Sequence, residues 1–419
     1  MRDSAIVIML LVLAVMAWRK PWVGLLGLIF VSVMHPQGYA SGFMRDFPAY
    51  LSLLSVVVLA TLWNGYQQRA QLALFFDWRL AVIALLWLQF VLTTVLGINP
   101  WAGWPRLLEV TKLLPLAMLV LVLIDSRMKL NWVLLTIAFS LAAVMLKGGY
   151  WALITGFHDR VYGPPGSQFE GNNEFAVAAA MAIPLLMIGY RQAENRVLRG
   201  AIMGLVGLGF MSALSSWSRG GLLSIGVVAL LLVWHSRRKY LAIPLLVGCI
   251  GLVFVGLSDA WLARMQTLAA PELEDSAATR LALWRLGWAY ALQHPWFGSG
   301  FGGWIYLTLP VGASRAWHSA YIEIVAEHGF TGLLLWLSLV LGSLVSLTVL
   351  ITRNRIWKLA GLTYQAAMLR ASLAAYMVGA AFLSIAFWEL LYVLLACAIV
   401  LNRLAWLERA GKTSLASDS

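Results

Sequence analysis

The residues best suited to chemistry in this 419-residue chain are a few arginines and one histidine, set among glycine, serine and tryptophan. Ser215-Ser216-Trp217-Ser218-Arg219-Gly220-Gly221 reads as a tight turn between two apolar runs, its glycines permitting close approach or positive φ. Arg219 there either snorkels to headgroup phosphates or serves as a fixed anion ligand, because a planar guanidinium matches phosphate oxygens two at a time. Downstream, Ser276-Ala-Ala-Thr-Arg280-Leu-Ala-Leu-Trp284-Arg285-Leu-Gly-Trp288 reads as a helix opened by Asp275 or Ser276 and closed by His294-Pro295. Arg280, Trp284 and Trp288 recur every four residues and share one face. A helix lying on a membrane gives the same aromatic pattern, but that leaves Arg280 in the stripe unexplained. Arg315-Ala-Trp317-His318-Ser319-Ala-Tyr321-Ile-Glu323 then leads into the next apolar run. Of six histidines, His318 alone stands among Arg, Ser, Tyr and Glu. A neutral imidazole in that setting takes a proton from a hydroxyl, or it is a hydrogen-bonded interfacial group. Glu323 follows five residues later, a spacing that does not face it toward His318 on a helix.

Three weaker signals accompany these. Arg160-Val-Tyr162-Gly-Pro-Pro-Gly-Ser-Gln168-Phe-Glu170-Gly-Asn172-Asn173-Glu174 is a polar, turn-rich stretch. Its amides suit sugar hydroxyls or phosphate, or Asn172 or Asn173 is a helix cap. Lys147 lies one turn inside the preceding apolar run, where a buried lysine is a functional candidate. Gly298-Ser-Gly300-Phe-Gly-Gly303 matches a dinucleotide fingerprint by letter, but no strand precedes it, so a tight loop is the reading. Glu272-Leu-Glu274-Asp275 reads as a solvated acidic turn, and no metal site is expected.

The elements that must carry these residues are membrane helices. The chain is 61% hydrophobic and 11% charged, with mean hydropathy +0.82. Soluble domains carry about 25% charged residues, and apolar runs of this length suit helices across a core of about 30 Å. Cys249 and Cys397 lie in apolar runs and suggest no disulfide framework. The start, Met1 to Trp18, reads as a retained span rather than a cleaved signal. The expected fold is all-α and polytopic, with 12–13 spans near 4–18, 21–35, 49–64, 80–98, 107–124, 132–150, 174–190, 199–215, 220–234, 241–257, 329–351, 371–386 and 389–402. Three parts follow: residues 1–257 with a loop near 151–173, a large loop over 258–328 holding short helices, and residues 329–419 ending in a tail.

The net charge of +12 does not point to nucleic acid, because the basic residues cluster in short loops such as Arg19-Lys20, Arg69 with Arg79, Arg237-Arg238-Lys239 and Arg353 to Arg370. Setting one such cluster in the cytoplasm fixes the rest by alternation. One side then holds 19 of the 30 Lys and Arg against 5 of the 18 acids, which is the positive-inside pattern. The C-terminus falls inside. Residues 147–174, 215–221 and 258–317 fall together on the outer face, away from nucleotide pools.

In order, the chain has an Asn-rich outer loop, a Ser-Arg-Gly-Gly turn, an Arg helix followed by His-Pro-x-x-Gly-x-Gly, and a His followed by Tyr and Glu. That order resembles the O-antigen ligase superfamily of bacterial inner-membrane glycosyltransferases, whose relatives include O-antigen polymerases and protein O-oligosaccharyltransferases. Met1-Arg2-Asp3, Arg19-Lys20-Pro21-Trp22 and Gly163-Pro164-Pro165-Gly166 to Asn172-Asn173 are further similar to ligases associated with exosortase systems. The resemblance implies a GT-C-like architecture. It also implies glycan transfer from undecaprenyl diphosphate to an acceptor hydroxyl at the periplasmic face, with no cofactor and no metal. It implies His318 as general base and Arg219 and Arg280 as diphosphate ligands. Arg285, Arg315, Lys147, Asn172, Asn173, Tyr321 and Glu323 are further substrate contacts in that reading. Lipid A–core is the first expected acceptor, with a second lipid-linked glycan or a protein as alternatives. A polysaccharide or lipid transporter is the reading from another class, but it expects internal repeats, and none is evident.

Overall fold

A computed structural model describes residues 2–67, 77–236, 261, 275–309, 316–357 and 359–411, together with 239–240 and 243–244. The expected span 241–257, most of the loop before residue 275 and Arg315 lie outside the described residues.

The described chain is all helix. Its elements are α1 (Arg2–Arg19), α2 (Pro21–Met34), α3 (Ala49–Gln67), α4 (Trp78–Leu96), α5 (Pro100–Thr111), α6 (Leu113–Leu123), α7 (Arg127–Ile154) and α8 (Asn172–Gln192). There follow α9 (Arg196–Leu214), α10 (Arg219–His235), α11 (Asp275–Gln293), α12 (Gly303–Thr308), α13 (Ala320–Ile356), α14 (Ala360–Ala380) and α15 (Glu389–Arg409). Six of these are long and apolar enough to cross a bilayer: α4, α7, α8, α9, α13 and α15. The segments Pro21–Met34, Ala49–Gly65 and Arg219–His235 are shorter apolar helices. The protein is thus an all-α, multi-pass membrane protein.

Helices α8 and α15 form the centre, each with 78% of its apolar window buried inside the bundle. Ala176, Ala178, Ala179, Ala180 and Ala182 on α8 are fully buried, and small residues of this kind let membrane helices approach closely. Gly221 of α10 leaves no room for a Cβ against Ala176, and Gly379 of α14 none against Val177.

Two expected spans differ in detail. The run at 107–124 is broken at Lys112 into α5 and α6. Pro115 accounts for the break, because a proline ring clashes with the carbonyl four residues back, here that of Thr111. The run at 329–351 begins earlier, at Ala320, and bends at Gly329 (φ 69°, ψ −177°). The Phe330 amide leaves the helical ladder there and donates to the Pro295 carbonyl at 2.7 Å.

Contacts sort the helix ends into two sets. At the lower end, Arg403 donates to the Leu121 carbonyl, Arg191 lies 4.5 Å over the Tyr364 ring, and Arg370 meets His235 at 3.0 Å. At the upper end, His35 after α2 meets the Pro165 carbonyl at 3.1 Å, and the Glu389 amide donates to Gln168 at 3.2 Å. Arg79, read from sequence as a loop cation, is instead fully buried. Its guanidinium binds both oxygens of Asp77, at 2.8 and 2.6 Å. Burial pushes the Asp77 carboxyl up, but the hydrogen bonds and charge of Arg79 outweigh it and hold the group below its ordinary range.

Candidate functional site

The loop 155–171 and the turn before α10 form one hydrogen-bonded block at the upper end. The Val161 amide donates to the Ser215 carbonyl (3.1 Å), the Ser215 hydroxyl to the Asp159 carbonyl (2.8 Å) and the Trp217 indole to the Phe157 carbonyl (3.1 Å). Arg160 lies 5.4 Å over the Trp217 ring. Trp217 takes a left-handed φ of 59°, a conformation a bulky residue holds only when its surroundings fix it. Ser218 then caps α10, its hydroxyl accepting from the Gly221 amide at 3.0 Å. Arg219 is therefore the first residue of α10, half-buried, at the positive end of the helix dipole.

Asn172 belongs to this block. Gly171, not an asparagine, occupies the cap position of α8, so the expectation that Asn172 or Asn173 caps the helix is corrected. The Asn172 amide instead donates to the Ser216 carbonyl at 2.7 Å, three residues before Arg219. Asn173 is half-buried in the first turn of α8.

Helix α11 runs over the span expected for it, and Trp284 joins it to the rest. Its indole donates to the Trp317 carbonyl at 2.7 Å, and its ring lies 6.5 Å from that of Phe382. Phe382, after α14, also packs against Gly220, where an added Cβ would sit 3.1 Å from the Phe382 Cβ. Arg280, one turn before Trp284 and half-buried, lies within Coulombic range of Glu174 in α8. Arg285 is exposed and points off this stripe, and Trp288 meets Phe330 edge-on at 5.3 Å.

His318 stands at the start of α13. It is half-buried and holds φ 50°, in the sparsely used left-handed region that histidine enters more readily than most residues. The preceding Trp317 anchors it. Trp317 is 1% exposed, its carbonyl receives Trp284, and its indole donates to the Glu327 carboxylate at 3.4 Å. That carboxylate also accepts from the Gly302 amide.

The glycine-rich loop is a clamp on α13. Gly298, Gly300 and Gly302 all have left-handed φ (60°, 76° and 73°), as the tight-loop reading requires. The Ser299 amide donates to the Ala326 carbonyl at 2.9 Å and the Gly300 amide to the Glu327 carbonyl at 2.8 Å. On its other side the Ser299 carbonyl receives the Ile98 amide at 2.9 Å.

The remaining expected contacts are less central. The Tyr321 hydroxyl is committed to the Met377 carbonyl at 2.8 Å, so it ties α13 to α14. Glu323 is buried, accepts from the Ala386 amide and lies within Coulombic range of Arg106. Lys147 was expected to be buried; it is exposed on the outward face of α7. Sequence reasoning missed Glu327, Phe382 and His328, whose Nδ1 meets the Thr93 hydroxyl at 2.7 Å. Glu327 and His328 carried one available signal, ionisable groups inside an apolar run.

Hydrogen bonds thus join segment 172–174 to 216–219 and segment 280–284 to 317–318, and Arg280 lies within Coulombic range of Glu174 at the same end of the bundle.

Comparison with known families agrees with the motif reading. Residues 175–337 match the family model described as O-antigen ligase, and residues 1–190 match a family of unknown function, DUF5935. No curated protein matches the chain. The first match encloses Arg219, Arg280, Arg285, Arg315, His318, Tyr321 and Glu323 but leaves out Lys147, Asn172 and Asn173. Residues 175–337, the segment that carries both arginines and the histidine, are thus similar to the O-antigen ligase family.

Proposed function

We propose that this protein transfers a glycan from undecaprenyl diphosphate to an acceptor hydroxyl, with His318 as general base and Arg219 and Arg280 as diphosphate ligands. The ligase match supports glycan transfer of the ligase or polymerase kind in general. One observation supports the finer reading: the Asn172–Ser216 and Trp284–Trp317 hydrogen bonds, with Arg280 within Coulombic range of Glu174, bring the arginine-bearing and histidine-bearing segments to one end of the bundle.

In this reading the acceptor oxygen attacks the anomeric carbon while the carbon–oxygen bond to the diphosphate breaks. The hydroxyl proton passes to the His318 ring. The electron pair leaves with undecaprenyl diphosphate, whose charge is matched by two guanidinium groups in a poorly hydrated place, where such stabilisation is strongest. A base within hydrogen-bond reach of the hydroxyl contributes about 10²–10⁴-fold. No nucleotide sugar or metal takes part. The basic lower end faces the cytoplasm of a bacterial inner membrane, and the site faces the periplasm. Lipid A–core is the acceptor.

The test is transfer by purified protein in nanodiscs, from a lipid diphosphate glycan, with lipid A–core, a second lipid-linked glycan and a serine-containing protein in competition. Product on lipid A–core is expected. Product on the second lipid-linked glycan makes the protein a polymerase, product on the protein makes it an O-oligosaccharyltransferase, and no product on any acceptor overturns the proposal.

A further inference from the structure

A polar cavity, of about 320 Å³, opens at the upper end beside the proposed site. Its walls come from the end of α2, the turn after it, the start of α3, helix α5, residues 166–168 and residues 387–389. None of them falls within 175–337, so the cavity lies wholly outside the segment that matches the ligase family.

Its charges are largely matched internally. Arg106 pairs with Glu109 at 2.7 Å. Glu389 receives the Ser32 hydroxyl and lies within Coulombic range of Lys112. A near-neutral set of paired charges and amides suits the hydroxyls of a sugar. Among the described residues, two lining groups have no hydrogen-bond partner: the side-chain oxygen of Gln37, a residue only 5% exposed, and the hydroxyl of Tyr50. A buried polar atom left unpaired is costly, and a ligand with both donors and acceptors relieves both. Phe387 stands in the wall largely buried, with Arg106 5.5 Å over its ring.

The cavity also adjoins the proposed site. Arg106 reaches Glu323 electrostatically, and Ala386, next to Phe387, donates to the Glu323 carboxylate. The Glu323 amide in turn donates to the Ser319 carbonyl at 2.8 Å, one residue after His318.

We propose that this cavity binds the saccharide of the acceptor, so that Gln37 and Tyr50 determine acceptor specificity and the acceptor is a glycan rather than a polypeptide. The proposal rests on the transfer reading above. Its test uses the full-length protein in nanodiscs, a lipid diphosphate glycan at saturation, and the oligosaccharide released from lipid A–core as the varied acceptor. Gln37→Leu is expected to raise the acceptor KM about tenfold, the worth of one buried hydrogen bond, with kcat and donor KM unchanged. Tyr50→Phe, a smaller change, is expected to move the same constant in the same direction. Binding of the free oligosaccharide, followed by tryptophan fluorescence, should weaken in parallel in both variants, and a serine-containing peptide should not compete. If the wild type transfers nothing yet binds the oligosaccharide, and the variants weaken that binding, the cavity assignment stands while the transfer reading fails. An unchanged acceptor KM in both variants, a rise in donor KM instead, or competition by the peptide overturns the assignment.

Discussion

Gly300 and Gly302 have nearly the same backbone, φ 76° and 73°, but different surroundings, and alanine at each separates two costs that glycine avoids. At Gly302 an added Cβ meets nothing within 4 Å. Gly302→Ala therefore carries only the left-handed penalty of about 1–2 kcal/mol. At Gly300 the same Cβ falls 2.6 Å from the Thr93 carbonyl oxygen and 2.9 Å from the Gly97 Cα. Both are backbone atoms that cannot rotate away, and overpacking of this kind adds about 1–3 kcal/mol. Gly300→Ala is thus expected to destabilise by about 2–5 kcal/mol in total. Reversible unfolding by titration with SDS in mixed micelles reads both values. Because the Gly300 amide holds the Glu327 carbonyl, and the Glu327 carboxylate holds Trp317 beside His318, Gly300→Ala should also lower the transfer rate. Equal destabilisation by the two substitutions would falsify the crowding argument.

Four further outcomes are expected. Asp77→Asn should destabilise by about 3–5 kcal/mol, because it strands the buried Arg79 charge, and the same titration measures it. The Asp77 carboxyl is held below its ordinary range, so its contribution is fully present above pH ~4 and is lost as pH falls through the depressed value. A wild-type stability profile that is flat below pH 4, or an Asp77→Asn variant that retains the fall, contradicts this. Arg280→Lys should lower transfer severely, since a point charge does not replace a planar fork; wild-type rates would remove Arg280 as a diphosphate ligand. Trp284→Phe keeps the ring but deletes the 2.7 Å bond to the Trp317 carbonyl, at about 1 kcal/mol. A several-fold drop in kcat with donor KM unchanged is expected, and an unaltered kcat would show that this bond does not position His318. Transfer should persist in chelator, and loss restored by a divalent ion would require a metal in the mechanism.

Much of the fold was legible because apolar runs between charged loops report helices directly. The Arg280–Trp284–Trp288 repeat located α11, and charge alternation brought the Asn172, Arg219 and His318 segments to one end. The unread features depend on contacts between residues distant in sequence. Nothing local to Arg79 announces burial, because its partner Asp77 sits in the same short loop and a solvated pair has the same letters. Lys147 shows the converse: its position inside an apolar run suggested burial, but it lies on the outward face of α7. Phe382 connects Gly220 to Trp284 only through the packing of α10, α11 and α14, and no spacing in the chain encodes that. Glu327 was hidden differently. Its carboxylate is read as structural or functional only once Trp317 and Gly302 are seen to bind it. The break at Lys112 was the most recoverable, since Pro115 stood in an otherwise helical run.

The central claim is that His318 removes the acceptor proton at a site where Arg219 and Arg280 hold a lipid diphosphate. Single-turnover transfer by His318→Ala, with binding of the lipid diphosphate glycan measured on the same preparation, tests it most directly. The account predicts donor binding equal to wild type and a transfer rate lower by about 10²–10⁴-fold. Transfer at the wild-type rate, or donor binding lost together with transfer, contradicts it.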